Sequence, residues 1–200
     1  VMNTDNMAIS GETIDYGPCA FMNVYNPKTL FSSFDHPGPY ANGNQPAIAQ
    51  WNLARLAETL LPLLDPNPES AIAVATEVLE EFPPRFEGYW LGGMRSKLGL
   101  QTAEADDVEL IGALLDWMAK TRADFTNTFR DLSMEALPAS DRYQDPGFIA
   151  WYTRWQERLG RDGRTKAEAF AAMRAANPVV IPRNHRVEEA LLAAEEEDDL

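Results

Sequence analysis

Near the start of the chain, oxygen-bearing side chains have the types and spacing of a site for a hard cation. Asn6 offers a neutral carbonyl oxygen, Asp5 beside it a carboxylate, and Asp15 a second carboxylate followed directly by Tyr16 and Gly17. Mg²⁺ takes oxygen ligands, keeps several waters and leaves nucleotide phosphates to complete its shell. Asn6 and Asp15 meet that demand if the backbone between them folds back, and Gly17 allows a sharp turn behind the ligand. Asp5 adds a group that can draw a proton from an attacking hydroxyl. Taken singly, Asn3-Thr4-Asp5-Asn6 is an ordinary turn sequence and Asp15-Tyr16-Gly17 occurs by chance in loops. At hairpin spacing, ahead of a long helical region, the two together favour a metal–nucleotide site.

The elements that must position these residues change character along the chain. Residues 1–45 hold most of the asparagines, several glycines and prolines, and little helical periodicity. Within them, residues 7–10 and 13–16 flank the Gly11-Glu12 turn and predict two small strands or a tight hairpin. Beyond, the reading turns helical. Ile48, Trp51, Leu56 and Leu60 lie among other apolar residues on nearly every face of residues 46–64, which predicts a buried helix. Asn67 is a candidate N-cap ahead of Pro68 and Glu69, opening a stripe of Ile72, Ala75, Val78, Leu79 and Phe82 that Pro83-Pro84 should stop. Further core faces are Val108, Ile111, Leu114, Leu115 and Met118, and then Phe148, Trp151, Tyr152, Trp155 and Leu159. Thr165 and Glu168 form a capping box for a helix toward Arg174, and residues 187–196 read as one more helix. The expected fold is mainly α. It is one domain, with residues 1–45 carrying a small hairpin with the catalytic and metal loops, and residues 46–200 forming a helical lobe.

The layout around Asn6 is that of a protein-kinase site, in which an asparagine closes the catalytic loop and an aspartate before an aromatic and a glycine supplies the second metal ligand. The departure is informative. Kinases place the base aspartate five positions before that asparagine, and here that position is Val1, which accepts no proton. Asp5 brings a carboxylate to the same neighbourhood by another route, a pseudokinase-like signature. The residues leave open an active transferase, a silent kinase-like scaffold that binds nucleotide or protein, and an ordinary kinase.

Residues 3–21 resemble the signature of the selenoprotein O family of protein adenylyltransferases, and the likeness continues along the chain. Asn44-Gln45-Pro46, Trp51-Asn52-Leu53-Ala54-Arg55-Leu56-Ala57, Asn177-Pro178 and Ile181-Pro182-Arg183-Asn184-His185 are similar to family segments in the expected order. The resemblance implies a kinase-like fold, of which this chain is the C-terminal lobe, binding ATP in a flipped orientation and transferring AMP to serine, threonine or tyrosine hydroxyls of proteins. It implies Asp5 as proton acceptor, Asn6 and Asp15 as ligands of Mg²⁺ or Mn²⁺, and Asp15 at the nucleotide. The family's glycine-rich loop, lysine and phosphate-binding arginines belong upstream, and Lys28, Lys97, Lys120 and Lys166 have no comparable strand context. The chain opens on Val1 inside a site motif, so the expectation is a fragment, truncated at both ends and inactive by itself. The family's redox-active cysteine or selenocysteine position lies beyond its end.

Composition narrows the partners. Seventeen Lys and Arg against 31 Asp and Glu give a net charge of −14, which disfavours a nucleic-acid partner. Glu195, Glu196, Glu197, Asp198 and Asp199 read as a solvated run. The single cysteine, Cys19, excludes an internal disulfide and reads as a small buried residue. No apolar run reaches the roughly 18 residues of a membrane span, and no signal peptide is visible. The expected compartment is the bacterial cytoplasm, or mitochondria in eukaryotic relatives. His36 reads as loop polarity and His185 as a helix-entry group, with Arg183 and Arg186 facing either a phosphate or the acidic helix.

Overall fold

Short polar side chains open several of the helices, at Asn67 and Thr165 as the sequence predicts and at Asp124 and Asp145 besides. In the computed structural model, which describes residues 1–12, 21–31, 35 and 38–196, the Asn67 side chain accepts the N–H groups of Glu69 (2.9 Å) and Ser70 (3.3 Å), starting α2 (Pro68–Glu80). Asp124 caps α5 (Phe125–Leu132) through Asn127 N–H, and Asp145 caps α6 (Pro146–Arg161) through Phe148 N–H. Thr165 and Glu168 close a full capping box on α7 (Lys166–Ala176). Each cap satisfies N–H groups that the first turn leaves unpaired. The other helices are α1 (Gln45–Leu64), α3 (Phe82–Lys97), α4 (Asp107–Thr121) and α8 (Asn184–Glu196). No helix among the described residues is long and apolar enough to cross a membrane.

The chain is mainly helical, and the described residues form no strand beyond an isolated antiparallel bridge of Val24 with Asp124. The predicted hairpin is therefore corrected in its first limb. Residues 8–11 close a turn instead, Gly11 N–H donating to Ala8 C=O at 3.0 Å with Gly11 at φ +70°. The second limb, residues 13–16, lies outside the described residues, as do Asp15, Cys19 and His36.

Two compact units divide the chain within α3. One comprises Val1–Pro18 and Pro27–Trp90, the other Cys19–Asn26 and Leu91–Leu200. In the first, α1 packs against α2. The expectation that α1 is buried on most faces fails: only Ala49 and Asn52 are buried, while Trp51 is 49% and Leu63 82% exposed. On α2 the buried residues are Ala71 and Ala75, and Ile72 and Val78 are exposed. Two packed helices cover one stripe of each, and here the small residues form that stripe. Pro83 and Pro84 cannot donate to the carbonyls of Leu79 and Glu80, and α2 ends at Glu80 ahead of them, as expected. They sit in the first turn of α3, where a missing N–H costs nothing.

The second unit holds the apolar core, built from Leu91, Met94 and Leu98 at the end of α3, Ile111, Leu114 and Met118 on α4, Phe129 and Leu132 on α5, Phe148, Trp151 and Trp155 on α6, and Phe170 and Met173 on α7. The predicted stripes of α4 and α6 thus face the core, except that Val108 is exposed. The indoles of Trp151 and Trp155 stack at 5.8 Å and donate to the carbonyls of Leu110 (2.8 Å) and Leu98 (3.0 Å), so the buried N–H groups are satisfied. α3 ends in a Schellman motif, with Leu100 N–H on Arg95 C=O (2.9 Å) and Gly99 N–H on Ser96 C=O (3.2 Å). Gly99 stands at φ +76°, and a Cβ there would lie 2.9 Å from Met173 Cγ, so both backbone and packing require glycine.

Candidate functional site

The Asn3-Thr4-Asp5-Asn6 segment folds as a single 3₁₀ turn, Thr4–Asn6, entered from an extended Asn3 and closed by Asn6 N–H on Asn3 C=O at 2.9 Å. Its side chains brace one another. Asn3 donates its amide to one carboxylate oxygen of Asp5. The amide nitrogen of Asn6 donates to Val1 C=O (3.0 Å) and to the Asn3 side-chain oxygen (2.5 Å). With its nitrogen so engaged, Asn6 keeps its carbonyl oxygen without a hydrogen bond among the described residues. Asp5 and Asn6 are both exposed and adjacent, and their unengaged oxygens are donors of the kind a hard cation takes. No group of three or more His, Cys, Asp or Glu gathers for a metal among the described residues. A Mg²⁺ site whose other ligands are phosphate and water does not need one.

The first turns of α1 and the loop before it carry this segment. Gln45 accepts Met2 N–H on its side-chain oxygen at 2.7 Å and donates its amide to the carbonyls of Tyr40 and, at 3.2 Å, Ala41. Asn52, two turns further along α1 and 6% exposed, donates to Met2 C=O (2.7 Å) and Met7 Sδ (2.9 Å) and accepts the Thr4 hydroxyl (3.1 Å). The loop is itself tied down. Gly43 N–H meets Pro27 C=O at 2.7 Å, Asn44 donates to Gly38 C=O at 2.8 Å, and the buried Asp35 carboxylate accepts Tyr40 N–H at 3.1 Å. The sequence flags Asn44-Gln45-Pro46 and Trp51-Asn52 only as segments. Gln45 and Asn52 stand seven residues apart, on one face of α1, but nothing local distinguishes them from its other polar residues, Gln50, Arg55, Glu58 and Thr59.

Several cations of the second unit are engaged within it. Lys97 sits over the rings of Phe125 and Phe129 (5.6 and 5.3 Å) with its Nζ on the Asn177 side chain, and burial lowers its pKa below that of an ordinary lysine. Arg183 pairs with Asp124 at 2.7 Å and Asn23 at 2.7 Å, so it ties the chain before α8 to the start of α5 rather than standing free for a phosphate. Arg186 pairs with Glu189 in the next turn of α8 at 2.5 Å, and His185 is exposed in the first turn of the same helix. Arg154 meets Glu109 and Arg161 meets Glu104, each at 2.8 Å.

A model of the family described as protein adenylyltransferase SelO matches residues 1–200. The protein nucleotidyltransferase YdiU of Anoxybacillus flavithermus is 58% identical over 199 residues, covering 100% of this chain and 41% of its own. The protein of the same name from Nitrosococcus oceani is 56% identical over 199 residues (100% of this chain, 40% of the relative), and that of Rhizobium etli 55% over 209 residues (100% and 41%). The chain spans about two fifths of the length of these curated relatives. A match along every residue, with the Asn3–Asn6 turn and its α1 supports inside it, means that this chain belongs to the protein adenylyltransferase SelO family.

Proposed function

We propose that this chain carries the transfer site of a protein adenylyltransferase that moves AMP from ATP onto serine, threonine or tyrosine hydroxyls of proteins. The observation that carries the reading is the family match across residues 1–200. The turn geometry supports the division of labour: an exposed carboxylate on Asp5, and an Asn6 whose amide nitrogen is held by Val1 C=O and the Asn3 side chain. In this reading the chain is the helical lobe of a kinase-like fold, with residues 1–45 contributing the catalytic and metal loops, residues 46–200 the supporting helices, and ATP bound flipped.

Asp5 takes the hydroxyl proton as the acceptor oxygen attacks the α-phosphorus. A new O–P bond forms while the bond to pyrophosphate breaks. Asn6 and Asp15 would hold Mg²⁺ or Mn²⁺, which offsets charge developing on the phosphates. Asn3 holds one Asp5 oxygen and leaves the other for the proton.

The test uses the full-length protein, Mg²⁺ and acceptor proteins, with ATP labelled at either the α- or the γ-phosphate. Protein-bound label is expected from α-labelled ATP only and should vanish in Asp15→Ala. Label from γ-labelled ATP would instead establish a kinase, and ATP binding without any transfer would establish a silent scaffold.

A further inference from the structure

Asn52 is out of place for an α1 residue read by itself. Asparagine is a poor helix former, and a buried amide is costly unless its hydrogen bonds are made. Yet α1 leaves Trp51 and Leu63 exposed and buries Asn52 beside Ala49. The amide is used on both its donor and its acceptor side, and all three partners belong to one short segment. Met2 C=O and the Thr4 hydroxyl lie before Asp5-Asn6, and Met7 Sδ lies after them. Gln45, seven residues earlier on α1, takes the N–H of the same Met2. The Met2 residue is thus held at both its backbone N–H and its C=O from one helix, and the turn is gripped on either side of Asp5 and Asn6. Neither amide bonds to the Asp5 or Asn6 side chain, so neither is a catalytic group.

We propose that Asn52, with Gln45, is the positioning residue of the transfer site. α1 acts as a rigid rail, and the two amides fix where Asp5 and Asn6 stand for proton transfer and metal binding. The inference rests on the functional reading above for what the turn does, and on the hydrogen bonds alone for what holds it. Because reacting groups displaced by about 1 Å can lose on the order of 100-fold in rate, the clamp should be felt in turnover more than in ATP binding.

Two readouts on the full-length protein test it. In hydrogen exchange, Asn52→Ala should speed exchange of the amides of residues 2–7 by about 10-fold or more, the effect of losing buried hydrogen bonds. Ala75→Gly, a substitution on the buried face of α2, serves as the control that lowers helix stability without touching the turn. In AMP transfer, Asn52→Ala should lower kcat by about 10- to 100-fold and raise the Mg²⁺ concentration for half-maximal rate, with KM for ATP moving by less than about threefold. Thr4→Val, which removes one contact from the turn side, should give a smaller loss of the same kind, and Gln45→Met carries the test if Asn52→Ala does not fold. Unchanged exchange at residues 2–7, or a kcat that falls no further than in Ala75→Gly, overturns the proposal. A wild-type protein that transfers nothing overturns the functional reading instead, and the exchange result then decides the clamp by itself.

Discussion

Asp5→Asn in the full-length protein should lower the turnover of AMP transfer by about 10²- to 10⁴-fold, the usual contribution of a positioned general base. The substitution is nearly isosteric, and the Asn3 amide can still donate to the new side-chain oxygen, so the turn is expected to keep its shape. What is lost is the capacity to take a proton. ATP affinity and the Mg²⁺ requirement should therefore stay close to those of the wild type, and kcat and kcat/KM should fall together. Asn6→Ala gives the contrasting pattern. It removes the proposed cation ligand along with the bonds to Val1 and Asn3, so KM for ATP and the half-saturating Mg²⁺ concentration should rise as kcat falls. Steady-state kinetics at several Mg²⁺ concentrations separate the two. An Asp5→Asn protein with more than about a tenth of wild-type turnover would remove Asp5 from the chemistry.

The turn that carries Asp5 and Asn6 was legible in the sequence because it is local. Asp5 and Asn6 are neighbours, and the turn that holds them is closed by Asn3. The same holds for the helices whose signals lie within the helix itself: the Asn67 cap with Pro68, the Thr165 and Glu168 box, and the aromatic stripe of α6. What could not be read depended on distant partners. The bonds from Asn52 and Gln45 to the turn span 50 and 43 residues. The apolar richness of α1 gave no sign that its small-residue stripe, not its leucines, would be covered. Pro83-Pro84 marks the end of α2, but nothing in the pair itself shows that it also forms the opening turn of the next helix, α3. α5 passed unnoticed for its length of eight residues, too short to establish a period.

Arg158→Leu should be the most damaging single substitution to the helical core, at about 3–5 kcal/mol, the usual cost of breaking a buried ion pair from one side. Arg158 is 2% exposed and spreads its guanidinium over four partners: Nε on Asp107 (2.8 Å), one terminal nitrogen on Asp162 and Glu104 (each 3.2 Å) and the other on Thr102 C=O (2.7 Å). Asp107 is fully buried and would retain Arg95 at 2.6 Å and Glu104 N–H at 2.9 Å, while Asp162 would keep only neutral donors from Gln101 and Thr102. A buried carboxylate without a cation is what makes the loss large. Arg158→Lys should recover part of it, since an ammonium supplies the charge but not the fork that reaches all four partners. Acid probes the same network. Burial by itself would raise the Asp162 pKa, but the hydrogen bonds from Thr102, from the Gln101 N–H and from Arg158 outweigh it and bring the carboxyl down to about 2. A carboxyl depressed on folding stabilises the protein above its unfolded pKa of about 3.9, and that contribution fades as pH falls toward 2. It amounts to about 2 kcal/mol, and Asp107, also lowered, adds to it in the same direction. Unfolding followed by tryptophan fluorescence between pH 6 and pH 2 should show the wild type losing more stability than Asp162→Asn by about that amount. An Arg158→Leu protein within 1 kcal/mol of wild type would mean that the surrounding helices carry this core without the charge network.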